Sequence, residues 1–455
     1  MHVTGFYIFF VILSFLIGKA SSKQPNILLI ITDQQTAGAM SCVGNSYLKT
    51  PALDMLAEEG VLFERNYVVQ PLCLPFRSSL QTSRYPHELG TTTNLRKMNG
   101  DFPMLGKLVA SAGYSCDFIG KWHTGCTLEA AGYSRPYDEG VDDIKARAAV
   151  DYLLKKHDQP FFLTVSFMNP HNVCQLARAD AVGTDLPDGP IGLAPADKDE
   201  LPPLPANFDI PEDEPAIIRE MQMASKSHHP TENWDELTWR QYLWGYYRLV
   251  EKVDNEIRKV LDALEKGGYD ENTVVIFTSD HGEGVAMQHW NQKRVLYEQA
   301  VRTPLIIRWK GITDKQVYSG LVSNALDIPV MILDIAGIEK PSTMRGVSLK
   351  PVLEGKSPAM RDFIVSETRF AEGKFNHGAS GRMIRTEKFK YCVYDKGEKR
   401  EQLFDLENDP GEMNNLAYKK EYASELQKHR KLLSKWAGET DDDGFPYFSS
   451  VSSSE

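Results

Sequence analysis

Three apolar runs in this chain each end in polar residues, and that repeat constrains the fold more than any other feature. Asn26 to Ile31 leads into Thr32 and Asp33, Phe161 to Phe167 into Asn169, Pro170 and His171, and Val274 to Phe277 into Ser279 and Asp280. Short apolar runs of this kind read as strands covered on both faces of a parallel sheet. Helix signals lie between them. Thr50 and Pro51 give an N-cap followed by proline at the first helical position, and Gly60 stops that helix. Phe102 to Ala112 is a second helical stretch, stopped by Gly113. Tyr247 to Leu264 places Val250, Val253, Ile257, Val260, Leu261 and Leu264 on one helical face. Further strands are predicted at Val61 to Phe63, Tyr114 to Ile119 and Pro304 to Ile307. The alternation predicts an α/β chain: a large three-layer α/β/α domain with a mostly parallel central sheet. Ligands of such sheets gather at the C-terminal strand ends, so Asp33, His171 and Asp280 are expected to converge.

A length of 455 residues exceeds what one growing core holds. The pattern changes after Pro351, where Asp362 to Ser366, Gly381 to Arg385 and Phe389 to Tyr394 read as short strands and 419–436 as a terminal helix. The expected division is a signal peptide over 1–22, a catalytic domain over 23–355, and a C-terminal α+β subdomain with an antiparallel sheet over 356–455. Residues 175–240 form a less periodic insertion, either decoration or the wall of a pocket. Phe6 to Ile17 is apolar and is followed by Gly18, Ala20, Ser21 and Ser22, which suits a cleaved leader and a periplasmic or secreted protein, with no stable membrane insertion after cleavage. The formal net charge of -11 argues against a nucleic-acid partner. The six cysteines are no disulfide scaffold, although Cys116 and Cys126 are close enough in sequence to pair.

Cys73 opens the run Cys73-Leu74-Pro75-Phe76-Arg77, continuing through Leu80 to Thr82 and Ser83. A cysteine at a helix start can have a lowered pKa, whereas a buried apolar cysteine is inert. This run resembles the signature of the type I sulfatases in the alkaline phosphatase superfamily, Cys-x-Pro-Ser/Ala-Arg followed by Leu-Thr-Gly. Phe76 replaces the usual small residue and Ser83 the usual glycine. Further segments carry the resemblance in order: Pro25-Asn26-Ile27 to Asp33-Gln34-Gln35, Gly120-Lys121-Trp122-His123, Ser166-Phe167 with Pro170-His171, Ser279-Asp280-His281-Gly282, Lys293 through Tyr297-Glu298, and Leu403-Phe404-Asp405-Leu406. The likeness spans residues 24–418.

The resemblance implies oxidation of Cys73 to formylglycine (3-oxoalanine) by a formylglycine-generating maturation enzyme, and hydrolysis of a sulfate ester on a saccharide. It implies Ca²⁺ held by Asp33, Gln34, Asp280 and His281. Carboxylates and an amide oxygen suit that hard ion, while an imidazole suits it less. Arg77, Lys121, His123, His171 and Lys293 are then the catalytic cations, set to stabilise charge on the sulfate and the leaving oxygen. His171 is the preferred proton donor to the leaving alcohol and His123 the base for sulfate release. Asn172, Gln175, His289, Trp290, Asn376, His377 and Arg382 are candidates for a sugar-facing rim, with structural roles as the alternative. Two other functions compete: a phosphodiesterase or phosphonate monoester hydrolase of the same superfamily, and an inactive sulfated-glycan-binding protein.

Overall fold

The computed structural model describes residues 24–137, 140–179, 183–225, 228–356, 358, 360–372, 375–442 and 445, with the side chains of 135–137, 372 and 375–377 outside the description. The expected leader, 1–22, lies outside the described residues.

Eight strands build the main sheet: β1 Asn26–Asp33, β2 Val61–Tyr67, β3 Ser115–Gly120, β4 Ser134–Tyr137, β5 Phe161–Pro170, β6 Thr273–Ser279, β7 Leu305–Trp309 and β8 Gln316–Ser323. Their order is β4-β3-β5-β1-β6-β7-β2-β8. All pairings are parallel except those of β7, which runs antiparallel to both β6 and β2. Every residue of β1 is buried. Ile27, Leu29 and Ile31 face one core cluster, while Leu28 and Ile30 face the other, as the two-residue period of a strand requires. Full burial of one such side chain stabilises the fold by roughly 1.5–3 kcal/mol.

Helices Pro51–Glu58, Asp142–Leu153 and Glu236–Lys266 cover the Leu28 face. Helices Cys73–Thr82, Leu105–Ser111 and Asn324–Ile335 cover the Ile27 face. The three-layer domain with a mostly parallel sheet is therefore present. The long helix begins at Glu236, earlier than its periodicity suggests, because Asp235 caps it by accepting from the Thr238 N–H.

The second unit is an antiparallel sheet of β9 Ile364–Glu372, β10 Phe375–Arg385, β11 Phe389–Tyr394 and β12 Glu401–Asp405 in the order β12-β11-β10-β9, covered by helix Ala423–Thr440. It docks on the large domain through hydrogen bonds to the carbonyls of Val68 and Val69. The Glu367 N–H donates to the Val69 carbonyl at 2.7 Å, and Ser366 Oγ donates to the Val68 carbonyl at 2.7 Å. One continuous hydrophobic cluster runs through both units. Cys116 and Cys126 are both free cysteines, so the pairing considered for them is not formed. Among the described residues no helix is long and apolar enough to cross a membrane.

Candidate active site

The sheet delivers its polar strand ends to one place. β1 ends at Asp33, β6 runs into Asp280, the loop after β3 carries Lys121, and His171 directly follows β5. Gly120 makes the Lys121 loop possible. Its φ is +98°, and a Cβ there would lie 2.0 Å from the Ser166 carbonyl oxygen on β5.

Helix Cys73–Thr82 is buried along its whole length and points its start at this cluster. Its C-terminal end explains the departure at Ser83. That residue has φ +52°, where glycine is favoured, and its Oγ compensates by donating to the Leu326 carbonyl at 2.7 Å and accepting the Gly346 N–H at 3.0 Å. Phe76 turns into the hydrophobic core and is fully buried there.

Arg77 sits one turn after Cys73 on the same helical face. Its guanidinium bridges both carboxylates, with Nε 2.9 Å from Asp280 Oδ2 and Nη2 3.1 Å from Asp33 Oδ2. Nη1 donates to the Lys121 carbonyl at 2.7 Å and to Ser166 Oγ at 2.8 Å. Lys121 Nζ meets Asp33 Oδ2 at 2.5 Å. Lys293 Nζ stands among Gln34 Oε1 at 3.0 Å, Cys73 Sγ at 3.2 Å and His281 Nε2 at 3.2 Å. Cys73 Sγ is also 3.1 Å from His281 Nε2 and 3.8 Å from Asp33 Oδ1.

The charges respond to one another. Burial alone would raise the Asp33 carboxyl, but Lys121, Lys293 and Arg77 outweigh it and hold the group well below the usual carboxylate range. Burial and the neighbouring Asp33 push Asp280 up to about 6. Burial and Asp33 would raise the Cys73 thiol, yet Lys121, Lys293 and His281 bring it well below its ordinary value, favouring thiolate. Burial, then Lys293, holds His171 well below the ordinary imidazole range.

Ligand atoms of Asp33, Cys73, Asp280 and His281 lie within 4.8 Å of one another, all buried. His281 Nδ1 is 2.9 Å from the Gly282 carbonyl, so its N–H donates there and the Nε2 lone pair faces the cluster. Gln34 adds an amide oxygen, and the Lys293 ammonium already sits against three of these donor atoms. Two buried carboxylates, an amide oxygen and an imidazole nitrogen therefore fit a divalent cation.

A family model for the sulfatases matches residues 25–338 of the chain. The protein belongs to the sulfatase family. It is a type I sulfatase on the alkaline phosphatase superfamily fold, and its activity is the hydrolysis of sulfate esters. A second model, the C-terminal region of N-sulphoglucosamine sulphohydrolase, matches 287–438. The Delta 4,5-hexuronate-2-O-sulfatase of Bacteroides thetaiotaomicron is 31% identical, covering 94% of this chain and 92% of that protein. The N-acetylglucosamine-6-O-sulfatase of the same organism is 29% identical, covering 91% and 86%. A solved 2-O GAG sulfatase superposes with a TM-score of 0.80 at 28% identity, over 92% of this chain and 93% of that one. The phosphonate monoester hydrolase of Agrobacterium radiobacter, at 22% identity and a TM-score of 0.76 over 91% of this chain and 96% of that one, shares the fold alone.

The sulfatase thus brings Asp33, Gln34, Cys73, Arg77, Lys121, Asp280, His281 and Lys293 into one contact network. His171 borders it, lining a cavity with Lys293. His123 lies on the Lys121 loop at φ +41°, and its Nδ1 is buried with no partner among the described residues. Such an orphaned nitrogen suits a group that meets a ligand.

The rim candidates scatter. Asn172 is buried and donates to Asp188. Gln175 is half-buried on the short helix Val173–Arg178. His289 packs its ring 4.7 Å from Phe208 and 5.1 Å from Trp239. Trp290 is fully buried, 4.6 Å from the His229 ring, in the core of the sulfatase. Arg382 pairs with Asp442 at 2.7 Å and lies over the Phe445 ring. Trp290 Nε1 donates to the Lys293 carbonyl at 3.4 Å, which sets it beside the cluster, while Asn172, His289 and Arg382 engage groups outside it. The side chains of Asn376 and His377 lie outside the described residues.

Sequence reasoning missed several supports. Glu283, three residues after Asp280, accepts from Gln34 Nε2 at 2.5 Å. Asp142 accepts from the Met168 N–H at 2.7 Å, the Asn169 N–H at 2.8 Å and Asn169 Nδ2 at 3.0 Å, setting the end of β5 just before His171. The position of Glu283 within the Asp280 motif was a usable signal; Asp142 had none. The insertion over 175–240 contributes Arg178, His228 and His229 to the His171 cavity, so it is a pocket wall.

Proposed function

We propose that this protein removes sulfate from a carbohydrate, a glycosaminoglycan or other sulfated glycan fragment, using formylglycine at position 73 and Ca²⁺. One observation carries the reading. Cys73 Sγ, which occupies the place of the aldehyde oxygen of formylglycine, meets His281 at 3.1 Å and Lys293 at 3.2 Å inside the buried Asp33–Asp280 cluster. The two Bacteroides thetaiotaomicron relatives, which act on a hexuronate and on N-acetylglucosamine, support a sugar as the leaving group.

Asp33, Gln34, Asp280 and His281 would hold the calcium. When bound, it supplies positive charge beside the sulfate oxygens and lowers the pKa of a hydroxyl at position 73. The chain's own groups do the rest. Arg77 fixes both aspartates in one geometry, and breaking such a buried pair costs about 3–5 kcal/mol. Lys121 and Lys293 bind the sulfate oxygens as charge shifts away from sulfur. His171 gives a proton to the departing alcohol. Burial and then the Lys293 field favour its neutral form, and an anion bound beside it favours the protonated one. The hydrated aldehyde would supply one hydroxyl to attack sulfur as the bond to the sugar oxygen breaks, and a second whose proton His123 would take as sulfate leaves and the aldehyde returns. A separate maturation enzyme would make the aldehyde from Cys73, and the leader-like sequence of residues 1–22 supports a periplasmic or secreted protein.

The test pairs mass analysis of the peptide containing residue 73 with turnover of sulfated mono- and disaccharides, and of matched aryl sulfate and aryl phosphate esters. Formylglycine together with sugar-sulfate hydrolysis is expected. Aldehyde-bearing protein that turns over the phosphate better than every sulfate would sink the reading.

A further inference from the structure

A cavity of about 140 Å³ adjoins the Cys73 cluster, and its lining includes His171, Cys174, His229, Gln292 and Lys293. His171 and Lys293 already have roles in the reaction. His229 and Gln292 do not, and each is only 4% exposed.

The tautomer of His229 follows from its neighbour. Asn291 Nδ2 donates to the His228 carbonyl at 3.1 Å, which turns Asn291 Oδ1 toward the His229 ring. That oxygen lies 2.9 Å from His229 Nδ1 and can only accept, so Nδ1 carries the proton. Burial depresses the pKa of this imidazole to about 3; Asn291 pulls the other way, and Arg294 and His228 add to the depression. The ring is therefore neutral, and Nε2 offers a lone pair to which nothing donates among the described residues.

Gln292 shows the opposite polarity. Burial raises the pKa of the Cys174 thiol, which stays protonated and donates to Gln292 Oε1 at 3.1 Å. The amide oxygen is thereby spent. Nε2 is left as a donor, buried and with no partner among the described residues. The backbone fixes the residue from both sides. Its N–H donates to Glu283 Oε1 at 2.6 Å, and its carbonyl accepts the Gly284 N–H at 2.8 Å. A buried donor without an acceptor costs stability, and a ligand that accepts from it recovers the loss.

The lining thus holds one acceptor and one donor, both uncharged. A carboxylate or a second sulfate has no proton to give His229. A hydroxyl donates and accepts through one oxygen, and it is the smallest group that fits both. His171, the proposed donor to the departing alcohol, shares this cavity, so the leaving sugar belongs against the same wall. We propose that His229 and Gln292 are specificity-determining residues that read one free hydroxyl on that sugar, a role that deepens the sugar-sulfatase reading and rests on it. The hydroxyl donates to His229 Nε2 and accepts from Gln292 Nε2.

The test is a deoxy scan. It measures kcat/KM of the formylglycine-bearing, calcium-loaded protein on a sulfated monosaccharide that it cleaves and on analogues lacking one hydroxyl each. One position is expected to dominate, with a loss of about 100-fold when its hydroxyl is removed, because two buried polar groups are then left unpaired. A second sulfate at that position should be at least as damaging. His229→Phe removes the acceptor, and Gln292→Glu puts an acceptor where the donor stood. Each is expected to cut the deoxy penalty at that position to about tenfold or less. Gln292→Met gives the same comparison without a new charge, and melting temperature and calcium affinity report that each variant is folded. No dominant position in the scan, a penalty that the variants at either residue leave unmoved, or a disulfate that outpaces the monosulfate would overturn the role of the pair while leaving sugar sulfate hydrolysis intact. No turnover of any sulfated sugar by protein that carries the aldehyde would overturn the parent reading and this one with it.

Discussion

Gln34 Nε2 donates to Glu283 Oε2 at 2.5 Å, and this bond decides which end of the Gln34 amide faces Cys73. Glu283 is fully buried and has two other donors, Tyr242 Oη at 2.6 Å and the Gln292 N–H at 2.6 Å, both on Oε1. With its nitrogen held there, Gln34 turns Oε1 toward Lys293 and the donor cluster. An amide can ligate a cation only through oxygen, so Glu283 acts as a positioning residue. Glu283→Ala is expected to weaken calcium binding by about 10- to 100-fold, measured by titration calorimetry, and high calcium should restore most of kcat. Unchanged calcium affinity in a folded Glu283→Ala protein would remove this role.

Cys73→Ala is expected to lower kcat by about 10⁴ or more on every sulfate ester, because the attacking atom is lost. The melting temperature should move little. Mass analysis of the wild-type peptide gives the companion readout: a population left as thiol should be inactive in proportion. Residual turnover in Cys73→Ala above about one part in a hundred would place the nucleophile elsewhere.

The sheet and much of the site were legible in the sequence for one reason: the polar residues sit where apolar strands stop. Asp33 ends β1, His171 and Asp280 directly follow β5 and β6, and a parallel sheet must align such ends. Lys293 was legible only through family resemblance, since the loop that carries it has no period. β8 was missed because Gln316–Ser323 alternates exposed and buried residues over only part of its length. β12, Glu401–Asp405, was missed because three of its five residues are polar, although all five are buried. Trp290 shows the limit for the rim. An aromatic beside a catalytic lysine reads as a sugar platform, yet its indole is consumed by His229 and, as a cation–π partner, by Arg219.

Removing calcium by rigorous chelation should lower activity and melting temperature together. Asp33 and Asp280 are buried side by side, and a cation that binds only the folded chain stabilises it by mass action. At a calcium concentration 100 times the dissociation constant, the gain is about 2.7 kcal/mol. A melting curve indifferent to calcium would count against the site formed by Asp33, Gln34, Asp280 and His281.

His171→Ala should separate substrates by leaving group. A sugar alcohol needs a proton as it departs, whereas an aryl oxide does not. The expected loss in kcat is about 10²–10³ on a sugar sulfate and less than about tenfold on an activated aryl sulfate. Equal losses on both would reassign His171 to binding.

The docking of the two units should depend on pH through His87. Its Nδ1 is 2.6 Å from Glu367 Oε1 on β9, and its Nε2 is 3.0 Å from the Thr440 carbonyl at the end of the terminal helix. Both partners are acceptors, so both ring nitrogens must carry protons, and the imidazolium is the form that fits. Burial opposes that charge, but Glu367, with help from Asp442, pushes the pKa up to about 9 from the ordinary 6.5. A histidine raised on folding contributes stability that is complete below its unfolded pKa and is lost as pH climbs through the folded one. The window is therefore about pH 6.5 to 9, and the contribution on the order of 3 kcal/mol. Melting temperature should fall across that window in the wild type. His87→Gln should start lower at pH 6.5 and fall less. Parallel curves for the two proteins would mean that His87 is neutral in the folded chain and that the contact with Glu367 is an uncharged hydrogen bond.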